Sequence, residues 1–133
     1  MNDAKPDLPA AIERWHDIAR TGDASRLDGL LAPDVIFESP VVHTPQRGKE
    51  ITAEYLGAAI AVLAGPQFRY VEQWFGPASA VLEFGTTIDG IAINGVDIIH
   101  WNAADEIVRF KVMVRPLKAI EIVRQRMAAA LNG

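Results

Sequence analysis

The spacing of the apolar residues changes near Gln67 from a helical period to alternation, and this change constrains the fold more than any other feature. Beyond it, the pattern predicts four strands over about residues 67–75, 79–88, 91–101 and 106–115. The dipeptide Asp89-Gly90, between the second and third strands, is a strong signal for a tight hairpin turn. Because short connections separate these strands, we predict an antiparallel meander.

The rest of the chain predicts helices and one early strand. These elements are a helix between Asp7 and Gly22, a short helix ending at Pro33, a strand over residues 34–39, a helix over about 49–63 and a C-terminal helix over 117–131. Residues 1–6 are predicted to be a disordered tail. Helices that precede a run of strands indicate an α+β fold. We predict one domain over residues 1–133, in which a curved antiparallel sheet wraps around the N-terminal helices and forms a cone with an internal pocket.

Composition excludes several classes of function. The formal net charge of −4 argues against nucleic acid or an anionic membrane as a partner, and the lack of cysteine excludes disulfides and thiolate catalysis. No apolar run approaches the roughly 20 residues that a membrane helix needs, and the start lacks a secretory signal, so we expect a cytoplasmic protein. The three histidines have no metal-ligand spacing and there is no glycine-rich phosphate loop. We therefore expect neither a metal nor a cofactor.

Asp97 is the most informative single residue, because it interrupts an apolar face. Alternate residues of a strand share a face, and the other members of this one are Ile91, Ile93, Gly95, Ile99 and Trp101. An ionised carboxylate is rarely buried without a partner. If the face lines a pocket, Asp97 is predicted to act as an acid/base or to anchor a ligand. The alternative is an ion pair with Lys111 or Arg115 on the last strand.

The element order and the segment "TGDASRLDGLLAPDVIFESPVVHTPQRGKEITAEYL" resemble the nuclear transport factor 2-like superfamily over roughly residues 8–115, and within it the SnoaL-like and ketosteroid-isomerase-like branch. The resemblance implies a cystatin-like α+β barrel. Asp97, in "VDIIHW", matches the isomerase aspartate that donates a hydrogen bond to the substrate oxyanion. Ser39, in "ESP", stands where the isomerase has its general base, and Trp15 stands where it has its oxyanion tyrosine. Since the base is replaced, we do not expect the isomerase mechanism on a steroid.

The SnoaL-like polyketide cyclases, which the chain also resembles, use a sheet aspartate as acid/base with an assisting histidine. Asp97 fits the first role, and His43, in the proline-bounded loop after the first strand, is the predicted helper. His100 lies three residues beyond Asp97, so strand parity places it on the opposite face of the sheet. The remaining candidates bind the ligand, and they are Trp15, Phe37, Ser39, Tyr55, Phe84 and Trp101.

Two functions are favoured by these residues, over a third, a protein-interaction module, for which nothing in the sequence marks a partner surface beyond the expected dimer face. In the first, the chain is a cofactor-independent isomerase or cyclase-like lyase, and Asp97 transfers a proton on a small, mostly apolar molecule. In the second, the same pocket binds or senses a metabolite without turnover. Proteins that resemble this one often pair sheet against sheet, so we also expect a homodimer through the sheet.

Overall fold

The computed structural model describes residues 8–132, and the predicted tail over residues 1–6 lies outside them. The helices are α1 (Ala10–Thr21), a 3₁₀ turn (Ala24–Arg26), α2 (Leu27–Leu30), α3 (Lys49–Leu63) and α4 (Leu117–Asn132). The strands are β1 (Leu31–Glu38), β2 (Gln46–Arg47), β3 (Arg69–Gly76), β4 (Ser79–Ile88), β5 (Ile91–Trp101) and β6 (Ile107–Arg115). No helix in this part of the chain is both long and apolar enough to cross a membrane.

The strands form one curved six-stranded sheet in the order β2-β1-β6-β5-β4-β3. The predicted α+β class and the meander from β3 to β6 are confirmed. The sheet is mixed rather than wholly antiparallel, because β1 pairs with β6 in the parallel direction. The early strand fills the edge that the meander leaves open at β6, and no local pattern in the sequence encodes that long-range pairing. Bulges between Tyr70 and Glu72 and between His100 and Trp101 add local bending.

The first helices form close to where the pattern predicts them. Gly22 ends α1 in the left-handed conformation (φ 74°) and donates its N–H to the Ile18 carbonyl, which suits glycine. The second helix is shorter than predicted, since β1 already begins at Leu31 and includes Pro33. A residue before proline avoids the helical region, so Ala32 is extended and the helix ends at Leu30.

The inner face of the sheet packs against α1 and α3 and carries the alternating apolar residues of β4, β5 and β6. Its fully or nearly fully buried members include Leu82, Phe84, Ile93, Ile99, Phe110 and Val112. Gly95 lies on the same face, where a Cβ would stand 2.5 Å from the Phe84 ring and 2.6 Å from the Met113 carbonyl. The missing side chain lets the Phe84 ring lie over β5, next to Asp97.

Candidate active site

β5 places Asp97 at the centre of the inner face, between Leu82 of β4 and Val112 of β6. The residue is only 6% exposed, in agreement with the predicted apolar face. Tyr70 on β3 donates its hydroxyl hydrogen to Asp97 Oδ2 at 2.8 Å. Trp15 on α1 donates Nε1–H to the Tyr70 hydroxyl oxygen, also at 2.8 Å. We name this row of donors and acceptors the Trp15–Tyr70–Asp97 network.

The network uses only one of the two oxygens of the Asp97 carboxylate. Within residues 8–132, Asp97 Oδ1 has no hydrogen-bond partner. The basic residues considered as ion-pair partners lie elsewhere: Lys111 Nζ is 3.9 Å from Glu38, and Arg115 is exposed on the far face of β6. An acid/base needs a carboxylate oxygen that is free to accept a proton and that no cation holds. A structural ion pair would instead place a cation against that oxygen.

Burial sets the electrostatics of this pair. Desolvation raises the pKa of Asp97 from 3.8 to about 7, and the hydrogen bond from Tyr70 opposes that rise. Burial and the adjacent Asp97 charge raise the pKa of Tyr70 well above its usual value, so its hydroxyl stays protonated and donates. Asp97 therefore changes charge near neutral pH, which is where a general acid/base works best.

Asp97 lines a small inner cavity of about 40 Å³ between the helices and the sheet. Its wall is almost wholly apolar, and it consists of Trp15, Ala19, Leu56, Ala59, Ile60, Leu63, Ala64, Phe68, Tyr70, Phe84, Asp97, Phe110 and Val112. Such a volume holds only a few water-sized groups, since one water needs roughly 10–15 Å³ of such space. The inner cavity is thus a recess for the reacting end of a molecule and not a container for the whole of it.

A larger outer cleft of about 360 Å³ adjoins the inner cavity. Four residues belong to the walls of both spaces: Ala19, Ala64, Phe68 and Tyr70. The outer cleft adds polar side chains, of which His16 contacts Gln73 Oε1 through Nε2 at 2.6 Å. The His16 ring also meets the Tyr70 ring edge-on, with centroids 4.9 Å apart. Tyr70 thus stands between a polar outer space and the buried carboxylate.

Comparison with known proteins agrees with this fold and geometry. The SnoaL-like domain family matches residues 12–110. The chain belongs to the SnoaL-like domain family. Among curated proteins, no match to the chain is found.

Solved structures extend the likeness of this SnoaL-like chain over most of its length. A steroid delta-isomerase from Pseudomonas aeruginosa is 31% identical, with a TM-score of 0.87 over 92% of this chain and 90% of that one. A protein with a cystatin-like fold from Silicibacter pomeroyi is 30% identical, with a TM-score of 0.84 over 92% and 85%. A protein with a ketosteroid isomerase-like fold from Catenulispora acidiphila, solved with trimethylamine, is 14% identical over 86% and 91%, with a TM-score of 0.65, and shows likeness of fold alone.

Three of the residues proposed from the sequence meet at the inner cavity of this SnoaL-like chain, namely Asp97, Trp15 and Phe84. Phe37 does not line it, because its ring is buried in the core against Phe110 and Tyr55, with centroids 6.1 and 6.0 Å away. Tyr55 is half-buried on α3 and lies outside the cavity wall, as does Trp101 at the end of β5. The alternation of side chains along a strand predicts that these rings face the helices. It does not predict which part of the space between sheet and helices is left unfilled.

Ser39 and His43 lie in a different cleft, formed by the loop after β1 and the end of β6. Of the residues that line this cleft, only Val112 also lines the inner cavity. The Ser39 hydroxyl accepts the N–H of Val41 at 3.1 Å and so shapes the loop. The structure therefore does not bring His43 and Asp97 together: His43 is exposed and lines the cleft beside β6, whereas Asp97 lines the inner cavity.

Tyr70 and Phe68 are the site residues that the sequence alone did not single out. Both lie at alternate positions of the predicted strand over 67–75, which is the one available signal that they share a face. Their approach to Asp97 depends on how β3 pairs with β4, where Tyr70 stands opposite Phe84. Pairing register across two neighbouring strands cannot be read from one strand's own pattern.

Proposed function

We propose that this SnoaL-like chain binds a small, mostly apolar molecule at the inner cavity and moves a proton on it with Asp97. The observation that carries the proposal is the buried carboxylate with a pKa of about 7, whose Oδ1 is not tied to the protein within residues 8–132. Likeness to a steroid delta-isomerase at 31% identity supports an isomerase-type reaction in this fold. Fold alone does not transfer a reaction, so the proposal depends on the site.

The chemistry that fits one acid/base is a proton shift next to a carbonyl group. Ionised Asp97 takes a proton from a carbon beside the carbonyl, and the electron pair of that C–H bond moves onto the carbonyl oxygen to give an enolate. In a ketone with a β,γ double bond, protonated Asp97 then returns the proton to the γ-carbon: the electron pair on oxygen re-forms the C=O bond, the pair of the enolate C=C bond becomes the α,β double bond, and the former β,γ pair forms the new C–H bond. Atoms and electrons balance without a cofactor.

We assign Tyr70 as the hydrogen-bond donor to the enolate oxygen. Once Asp97 carries the proton, it is neutral and accepts the Tyr70 hydrogen bond less strongly. The Tyr70 hydroxyl, which also lines the inner cavity, can then turn toward the developing negative charge, while Trp15 keeps hold of its oxygen from behind. A hydrogen-bond donor that meets charge as it develops contributes more in a dry site than in water.

The same assignment defines an activity test. The probe is a β,γ-unsaturated cyclohexenone, whose isomerisation to the conjugated ketone is followed by ultraviolet absorbance. We expect wild type to accelerate the reaction, with a rate that rises through pH about 7, because Asp97 must be ionised to take the proton. Asp97→Asn should lower the rate about a hundredfold or more, and the matched variant Asp34→Asn, at an exposed position, should leave it unchanged.

A non-catalytic binding module is the second candidate, and the bond from Tyr70 to Asp97 favours it, because a tethered carboxyl group is a good ligand anchor. The two candidates differ in one result. If wild type and Asp97→Asn isomerise the cyclohexenone equally, Asp97 does not transfer the proton, and only the binding function stands.

We also propose that two copies pair through the outer face of the sheet. Trp74 and Met113 are each about half exposed there (47% and 50%), and the partly buried Val81 and Ile98 lie between them. Glu72 and Glu83 flank this strip on one side. Lys111, which lies 3.9 Å from Glu38, and the exposed Arg115 flank it on the β6 side. A twofold axis would place the acids of one copy against the bases of the other.

Sedimentation at high micromolar concentration tests this pairing. We expect a species of twice 14.5 kDa for wild type and for Phe75→Glu, and a monomer for Trp74→Glu, because only Trp74 faces outward. A monomer in the wild-type sample would contradict the proposed interface.

A further inference from the structure

The outer cleft carries cationic side chains, which the inner cavity does not. Arg20 on α1 and Arg69 at the start of β3 both line the cleft, and within residues 8–132 no carboxylate belongs to its wall. The inner cavity has one carboxylate, that of Asp97, and an otherwise almost wholly apolar wall. The two adjoining spaces therefore differ in the sign of the charge that they present to a ligand.

Arg69 is an exposed cation that forms no ion pair with another residue of the range 8–132. Its guanidinium lies about 3.3 Å from the position that a Cβ of Gly85 would take. Because β3 is the outermost strand of the sheet, this long side chain can turn across the free edge of the strand toward the cleft that Arg69 lines. A guanidinium that no carboxylate holds is available to bind an anion.

Arg20 has an acidic partner, but the pair is exposed. Arg20 Nη2 lies 2.9 Å from Asp17 Oδ1, and the two side chains are 72% and 40% exposed. Exposed ion pairs contribute little to stability, because water and salt screen them. The bond to Asp17 uses only part of the donor set of the guanidinium, which carries five N–H groups, so Arg20 can bind a second anion.

A structural role is the alternative for Arg20. The helix α1 ends at Thr21, and a cation in the last turn of a helix offsets the partial negative charge of the last carbonyl groups. Such a role would stabilise the helix without any ligand and would give the cleft no preference for anions. It does not account for Arg69, which begins a strand.

The sizes of the two spaces indicate where each end of a ligand lies. Ligand sites usually measure about 300–1,000 Å³, which the outer cleft reaches at about 360 Å³ and the inner cavity, at about 40 Å³, does not. A molecule that reaches Asp97 must therefore extend into the outer cleft. Asp97 is ionised above pH about 7 and repels a second carboxylate in a dry recess, so an anionic group belongs at the outer end of the molecule.

We propose that the ligand is a small monocarboxylate, whose apolar end lies beside Asp97 and whose carboxylate lies in the outer cleft against Arg69 and Arg20. The parallel N–H donors of a guanidinium match the two oxygens of a carboxylate, and such charge-assisted bonds are about twice as strong as neutral ones. Since Asp17 already neutralises Arg20, one unpaired guanidinium remains to balance a single negative charge. This inference rests on the proposed function for the place of the apolar end, but it concerns binding alone.

Binding of 4-phenylbutyrate at pH 8 and low salt tests the inference, because this molecule joins an apolar ring to a carboxylate through a short chain. We expect it to shift the Trp15 Nε1–H signal in nuclear magnetic resonance spectra, since Trp15 lines the inner cavity. The neutral 4-phenylbutyramide is the matched probe and should bind at least about tenfold more weakly. The dianion 4-phenylbutyl phosphate should bind no more tightly than the carboxylate.

Three results of this titration would overturn the ligand class: no binding of the carboxylate, equal binding of the carboxylate and the amide, or tighter binding of the phosphate. Binding of the carboxylate that leaves the Trp15 signal in place would overturn the position proposed for the apolar end.

Variants of the two arginines separate ligand recognition from a structural role. Arg69→Gln and Arg20→Gln should each weaken the binding of 4-phenylbutyrate about fivefold or more, and unchanged binding of the amide shows that the cavity is intact. Arg124→Gln is the matched control and should equal wild type, because Arg124 forms a similar exposed pair with Glu121 but lies on α4, in neither wall. Asp17→Asn should strengthen the binding of the carboxylate, since it releases Arg20.

Unchanged affinity for the carboxylate in Arg69→Gln would overturn the assignment of the outer cleft to an anionic group. Affinity in Asp17→Asn that is equal to or lower than that of wild type would overturn the role of Arg20.

This proposal and the proposed function fail separately. Turnover of the cyclohexenone that depends on Asp97, without a preference for the carboxylate over the amide, would remove only the ligand class. A preference for the carboxylate together with equal turnover in wild type and Asp97→Asn would remove only the proton transfer.

Discussion

Replacing Asp97 with asparagine should change the stability of the protein in a way that depends on pH. The pKa of Asp97 is raised from 3.8 to about 7 by folding, so the folded state favours the neutral carboxyl group. Well below pH 3.8 the residue is neutral in both states and carries no penalty. As pH rises toward 7 the unfolded chain releases its proton first, and the free energy of unfolding falls; above pH about 7 the loss is complete.

The size of this loss follows from the two pKa values. Each pKa unit corresponds to about 1.4 kcal/mol, so the penalty on the folded state at pH 8 is about 4 kcal/mol. Asparagine has nearly the same shape, can still accept the Tyr70 hydrogen bond and never ionises. The unfolding free energy of Asp97→Asn minus that of wild type should therefore increase by about 4 kcal/mol between pH 4 and pH 8.

Urea denaturation of both proteins at several pH values measures that difference, and the contributions of the other titrating groups cancel. Asp34→Asn is the matched control for the substitution itself, because the Asp34 side chain is exposed and lies outside the wall of the inner cavity. A flat profile for Asp97→Asn would refute the reasoning, since it would mean that Asp97 titrates in the folded protein as it does in the unfolded chain.

Two further predictions concern the neighbours of Asp97. Tyr70→Phe removes the hydrogen bond that lowers the Asp97 pKa, so that pKa should rise above about 7, by about one unit for a charge-assisted bond. Titration of the Asp97 carboxyl carbon by nuclear magnetic resonance measures this pKa. An equal or lower value would contradict the network. Gly95→Ala places a Cβ 2.5 Å from the Phe84 ring and should lower the free energy of unfolding, measured by urea denaturation, by about 1–3 kcal/mol. The control is Gly65→Ala, whose Cβ would have no atom within 4 Å and which should lower that free energy far less. Equal decreases for the two variants would contradict the close packing at Gly95.

Local patterns in the sequence are sufficient for the strands and for one site residue. The period of two across residues 91–101 correctly places Asp97 inward and His100 outward, because side-chain alternation is a property of a single strand. The dipeptide Asp89-Gly90 marks the turn between β4 and β5 for a similarly local reason, since both of its residues have positive φ there. These features need no information about distant parts of the chain.

The rest of the site depends on contacts between distant segments. Tyr70 reaches Asp97 across 27 positions of the chain, and Trp15 reaches Tyr70 across 55. His43 follows a strand whose place in the sheet was not predictable, so the direction of its loop was not predictable either. The inner cavity likewise depends on how all the elements pack, and no residue type in the sequence predicts it.

The parallel pairing of β1 with β6 has a consequence for how the chain folds. Phe37 lies beside Phe110, so two segments more than seventy positions apart must meet before that edge of the sheet exists. Closing so long a loop costs entropy before its contacts repay it, which is typical of slow folding and high contact order. A ribosome that has not yet released β6 therefore holds a nascent chain whose first strand has no parallel neighbour, and the cone can close only after β6 has left the ribosome.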